Sequence, residues 1–275
     1  MASNSRFQDI SDTYASNELV LIALCTLGFV LLLRFLNPLT STSTQEIFSP
    51  SRIEKRFLPG LFQGTVIALG IILAFVLSGF YRYLGVLIQP DEALLAIVSI
   101  LVRIIAVIVF AYCDEFILRQ KALSYFRRQL PVSYAILLIA LIGTGIKFLQ
   151  FDLGFMQLTT LFLLGLSLGL RAINDGDFTR GAGIWAGVLL VFQPFLSLSV
   201  LGNDFQGIFL VKYEFPSEAE NEVARILTGG IGGPLSSFAI QMVLVFDIAR
   251  NAWKNKKILW PEKNKFRPFW KLGRT

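Results

Sequence analysis

The chain has 275 residues, of which 54% are hydrophobic and 16% charged, with 25 phenylalanines and a mean hydropathy of +0.63. A soluble domain of that length has no interior large enough for so much apolar surface, so the composition excludes one and requires a membrane. The net charge of +6 is explained by topology, as set out below, and calls for no nucleic-acid partner.

Apolar runs of about 18 residues or more read as transmembrane helices. They predict an all-α, polytopic bundle of seven spans, at roughly 18–36, 61–81, 93–113, 132–149, 155–172, 183–203 and 231–249. The segment before the first span, Met1 to Asn17, is polar and almost free of positive charge, so no cleavable signal peptide is expected. Cys25 and Cys113 fall in apolar spans, where they read as small buried hydrophobes rather than a disulfide. A Ser/Thr-rich connector runs from Pro38 to Arg56, and Asp175-Gly176-Asp177 forms a short turn after the fifth span. The sixth span carries Gln193-Pro194 and the seventh opens on Gly232-Gly233-Pro234. Six or eight spans therefore also satisfy the pattern, and an unwound stretch is expected at Pro194.

Loop 204–230 carries Asp204, Glu214, Glu218, Glu220 and Glu222 against two bases. It reads as a solvated face in preference to a cation site, with a short helix capped by Ser217 and Glu220 and ended at Gly229-Gly230. Residues 1–249 form one transmembrane domain. Residues 250–275 form a tail that mixes nine Lys/Arg with Trp253, Trp260, Phe266, Phe269 and Trp270. Such a tail either lies on anionic lipids of the inner leaflet or is an ordinary basic terminus.

With seven spans, one side of the membrane receives four basic residues and the other nineteen. Cytoplasmic loops carry the excess of Lys and Arg, so the N-terminus is expected outside and the C-terminus inside. Small-xxx-small spacings at Gly60/Gly64, Gly165/Gly169 and Gly183/Gly187 allow close helix packing and carry no functional meaning.

Charged groups inside spans are costly and persist where they are paired or functional. Glu115 and Arg119 are i, i+4 in the favourable order. Asp114 points about 100° away and needs another partner, for which Lys147 is the nearest candidate. Asp247 and Arg250 are i, i+3 and are expected to pair locally, and Arg103 reads as structural.

The segment Asp114-Glu115-Phe-Ile-Leu-Arg119 resembles the Glu-Glu-x-x-x-Arg motif of the CPBP (CAAX-protease and bacteriocin-processing) intramembrane endopeptidases. The resemblance extends over about residues 95–200. Arg127-Arg128 precede a proline and Ala135-Ile-Leu-Leu138, Phe162 to Leu170 is similar to the family's Gly-rich helix, and Ala182-Gly-Ile-Trp185-Ala186 to the lead-in of its last motif. In the family the glutamates act with histidines in Phe-x-x-x-His and His-x-x-x-Asn/Asp motifs to activate water, with a metal invoked for some members. Here the resemblance places Asp114, Glu115 and Arg119 in the first motif, Gly143-x-x-x-Lys147 in the second and Val191-x-x-x-Phe195 in the third, and the chain has no histidine.

That pattern argues against the family's chemistry. Aspartate is one methylene shorter than glutamate, and a misplacement of about 1 Å can cost on the order of a hundredfold in rate. Val191 and Phe195 can neither bind metal nor donate to an oxyanion. A protonated Lys147 would pair with a carboxylate instead of freeing it. The expected site is therefore Asp114, Glu115, Arg119 and Lys147 as a degenerate, structural remnant, with no cofactor and no metal. The expected function is that of a scaffold, assembly factor or complex subunit in a bacterial cytoplasmic membrane, binding other membrane proteins. An active endopeptidase with Asp114 or Glu115 as base is the alternative, and a proton-relay transporter is weaker.

Overall fold

The computed structural model describes residues 23–24, 27–28, 53–86, 93–201, 207–213 and 221–259. All but four residues of the expected first span lie outside this set, as do most of the connector, Ser217, Glu220 and the tail beyond Leu259.

The chain folds as a helical membrane bundle. A π-helical turn, Ile53–Phe57, runs directly into helix α1 (Leu58–Leu77), whose second residue is Pro59. The helix stops where Ser78 Oγ donates to Ala74 O and Phe75 O and Gly79 turns to φ +79°. Strand β1 (Tyr81–Val86) follows, then α2 (Ala93–Glu115), prolonged by a π-helical turn, Phe116–Ala122, and a last α-turn to Phe126. Helix α3 (Val132–Gln150) begins after Pro131, and α4 (Phe155–Asp175) ends on Gly176 in the left-handed region. Helix α5 (Thr179–Leu190) runs into a further π-turn, Val191–Phe195. Strand β2 (Phe209–Tyr213), the short α6 (Asn221–Thr228), two 3₁₀ turns, α7 (Phe238–Lys254) and α8 (Lys256–Leu259) complete the order.

Among the described residues four helices are long and apolar enough to cross a membrane: Glu54–Leu77, Ala96–Phe126, Val132–Gln150 and Phe155–Asp175. Their packing inverts that of a soluble protein. On α1 the large residues Leu58, Phe62, Val66, Leu69, Leu73 and Leu77 are exposed along one face, while Gly60, Gly64 and Ala68 are buried on the other. An apolar face of that extent fits a lipid solvent and not water.

The glycine spacings meet one another. Gly60 and Gly64 of α1 lie against the Arg180 and Ile184 carbonyls of α5, and Gly183 and Gly187 of α5 lie against the Phe57 and Leu61 carbonyls. Matching positions rise together along both helices, so α1 and α5 run parallel at backbone contact. Gly165 and Gly169 of α4 take up Ala140 and Ile136 of α3 in the same way.

Two expectations are corrected. The sixth span does not continue as a helix to 203: Pro194 removes a backbone donor, the helix ends at Phe195, and the chain turns through Ser197 at φ +54°. The seventh does not start at 231, because Gly229, Gly230 and Gly233 all take positive φ and the helix begins only after Ser237.

An all-α reading also omits the small sheet. β1 and β2 pair antiparallel, Tyr81 opposite Tyr213 and Val86 opposite Phe209, and so tie together the chain leaving α1 and α5. Tyr81 is buried, stacks on Phe75 at 5.5 Å and donates its hydroxyl to Thr228 O at 3.1 Å. Burial, with Tyr213 beside it, raises the phenol's pKa and keeps the hydroxyl a donor. Tyr81→Phe is expected to cost about 1 kcal/mol in thermal unfolding, the net worth of that hydrogen bond.

Candidate functional site

The last turn of α2 carries Asp114 and Glu115, and the π-turn that follows carries Arg119. π-Turns inside helices concentrate at functional sites because they re-aim side chains without breaking the helix. Arg119 Nη1 lies 2.9 Å from Glu115 Oε1, and both side chains are almost wholly buried. Arg119 Nη2 also donates to Gly165 O at 3.3 Å. That reach depends on Gly165, since a Cβ there would lie 3.2 Å from Ala140 Cα and 3.5 Å from the guanidinium.

Lys147 enters from α3. Its Nζ stands 2.7 Å from Asp114 Oδ2 and 5.9 Å from the centroid of the Phe110 ring, within cation–π range. Gly143, one turn earlier, leaves room for Leu118 of the π-turn: an added Cβ would come within 2.9 Å of Leu118 Cδ1. The structure thus brings all four expected residues together, as two ion pairs on adjacent faces of one helix end.

The pairs border a cavity of about 20 Å³, lined also by Thr144 and Trp185, large enough for about one water molecule. Glu115 Oε2, Arg119 Nε and Trp185 Nε1 are buried with no hydrogen-bond partner in the protein. General-base catalysis needs a basic atom free to take a proton. Asp114 Oδ2 is engaged by an ammonium and Glu115 Oε1 by a guanidinium, so each carboxylate holds one oxygen in an ion pair, and Glu115 Oε2 is the buried one with no protein partner. Val191 and Phe195 do not line the cavity. An ammonium at 2.7 Å from one carboxylate, and no imidazole, do not fit a divalent metal, which needs deprotonated donors. Among the described residues no group of three or more His, Cys, Asp or Glu side chains is gathered.

A second charged cluster joins α4 and α7. Asp247 accepts from Arg171 Nη2 at 2.5 Å and Nε at 3.2 Å, and from Ser167 Oγ. This corrects the expected Asp247–Arg250 pair: Arg250 is exposed, whereas Asp247 turns inward to α4. It belongs to a polar seam in which Gln241 Nε2 donates to Thr160 Oγ1 at 3.2 Å and Asn174 Nδ2 to Asn251 Oδ1 at 3.2 Å. Partners rise together in number, so α4 and α7 run parallel. Arg103 is also buried.

Trp185, Thr144 and the Arg171–Asp247 pair are the residues that sequence reasoning did not place at a site. For Asp247 the usable signal was its depth, because an acid inside a span calls for a partner on another helix. Trp185 stood only in the segment similar to the lead-in of the family's last motif, and Thr144 gave no signal. No family model, no curated protein and no solved structure matches the chain.

Proposed function

We propose that this chain is a catalytically inactive membrane protein, similar in its motif framework to the CPBP intramembrane endopeptidases, that acts by binding. Its role in this reading is that of a scaffold, assembly factor or subunit of a membrane protein complex. The observation that carries it is the 2.7 Å contact of Lys147 Nζ with Asp114 Oδ2, at the position where the resemblance places an imidazole. An ammonium there neutralises the acid and can neither accept a proton nor ligate a metal.

The reading includes seven spans, an external N-terminus and a cytoplasmic C-terminus in a bacterial cytoplasmic membrane, with the basic aromatic tail on anionic lipids. It is supported by the four-to-nineteen division of basic residues. The parallel runs of α1 with α5 and of α4 with α7 also suit it, since alternating crossings give each pair one direction.

Glu115 Oε2, which has no protein partner beside a water-sized cavity, favours a second reading, an active endopeptidase with Glu115 as base. One assay separates the two. Purified wild type and an Asp114→Asn, Glu115→Gln double variant are incubated with membrane-protein substrates, and the wild type is also recovered from native membranes. The binding reading expects no cleavage by either form and a stoichiometric complex. Cleavage by wild type that the double variant loses would defeat it.

A further inference from the structure

Between α1, α4, α5 and α7 lies a second cavity, of about 120 Å³ and mostly apolar walls, separated from the carboxylate site by Leu164, Leu168 and Trp185, which line both. Ala68, Leu164, Val188 and Leu235 form its interior. Its rim residues Ile67 on α1 and Val243 on α7 are 36% and 50% exposed, and among the described residues α1 and α7 form no extended contact. Among the described residues the mouth therefore opens sideways, between two lipid-facing helices, toward the acyl chains of the bilayer.

Dimensions and charge narrow the occupant. Along α4 the wall runs from Thr160 to Arg171, about 16 Å at ~1.5 Å per residue, close to half of a hydrocarbon core about 30 Å thick. That is the reach of one acyl chain in one leaflet. The free volume, about 120 Å³, is near that of an apolar cavity of about 150 Å³ that takes up a benzene ring, so it excludes a helix and encloses a short stretch of one chain, the rest of the chain lying in the open mouth. At the end of α4 where a headgroup would sit, Arg171 and Asp247 are partly exposed. Asp247 engages two N–H groups of Arg171, and a guanidinium fork has five, so donors remain for a phosphate.

We infer that this chamber binds one acyl chain of a glycerophospholipid, drawn from the leaflet at the Arg171 end, with the phosphate beside the Arg171–Asp247 pair. The site is independent of whether the carboxylate centre is active.

Trp185 is 1% exposed and forms part of the chamber wall, so it reports on a chain inside. The full-length protein, carrying Trp253→Phe, Trp260→Phe and Trp270→Phe, is placed in bilayers of phosphatidylcholine brominated along one chain. A chain in the chamber holds its bromines in van der Waals contact with the indole, and Trp185 is expected to lose emission relative to the same protein in unbrominated bilayers. Adding Val243→Phe narrows the mouth and restores most of that emission, and Ile67→Phe does the same from the opposite rim should the first variant fail to fold. A form that retains Trp253 alone, with Trp185→Phe, is quenched throughout and checks the bilayers. Trp185 unquenched at every bromine depth, which would leave the mouth to another segment of the protein, overturns the assignment. So does quenching that neither rim substitution reduces.

Discussion

Lys147→Ala is expected to destabilise the protein by about 3–5 kcal/mol, the usual cost of removing one partner from a buried pair. Asp114, with 12% of its side chain exposed, would lose the ammonium that its Oδ2 contacts, and Phe110 and Leu118 beside it offer no replacement donor. The desolvation that Lys147 offsets would then stand unopposed. Thermal unfolding in mild detergent measures the loss. Lys147→Arg should retain most of the stability, because a guanidinium reaches the same carboxylate, with some penalty for its larger head group. A loss below about 1 kcal/mol for Lys147→Ala, the range of an exposed ion pair, would mean that the ammonium is hydrated and not engaged with Asp114.

Gly64→Leu is the second large effect, and its cause is steric. Gly64 faces the Ile184 carbonyl at backbone contact, so even a Cβ forces α1 and α5 apart. Overpacking of this kind costs about 1–3 kcal/mol, and the upper end is expected because the obstruction is backbone that cannot change rotamer. Gly187→Leu should behave alike from the other helix. Gly70 is the control: the same helix carries it with nothing within 4 Å of an added Cβ. Gly70→Ala should be neutral or stabilising, since alanine favours a helix by up to about 1 kcal/mol over glycine. Equal losses at Gly64 and Gly70 would remove the case for a specific α1–α5 contact.

The parts of this fold legible in the sequence are those set by local spacing or by the expense of charge in lipid. Glu115 and Arg119 meet because i, i+4 positions on a helix must face each other. Asp114 and Lys147 could be matched because an acid inside a span needs a base and few were on offer. The glycine spacings were visible, but their pairing was not. That Gly60/Gly64 would lie against Gly183/Gly187 depends on which helices become neighbours, and no local pattern encodes it. Asp247 went astray for the same reason: its partner Arg171 sits on another helix, and the nearer Arg250 satisfied a purely local rule. The interruption at Pro194 was legible, but hydropathy continues past it and precedes Phe238, so the sixth span was drawn on to 203 and the seventh from 231, whereas Pro194 and the positive-φ glycines Gly229, Gly230 and Gly233 decide the helix ends. The β1–β2 pair escaped notice because both strands fall almost wholly in segments read as loops, after residue 81 and within 204–230, and their pairing is not local.

The account rests on Lys147 and Asp114 neutralising each other inside the bundle, and a double-mutant cycle on this pair tests it most directly. Stability is measured for wild type, Lys147→Met, Asp114→Asn and the double variant. Because the side chains touch at 2.7 Å, the cycle should return a coupling of about 1–3 kcal/mol, the double variant being more stable than the two single losses add up to. Losses that add within about 0.5 kcal/mol would show that the two charges do not interact, and the explanation of the site as a neutralised one would fail with them.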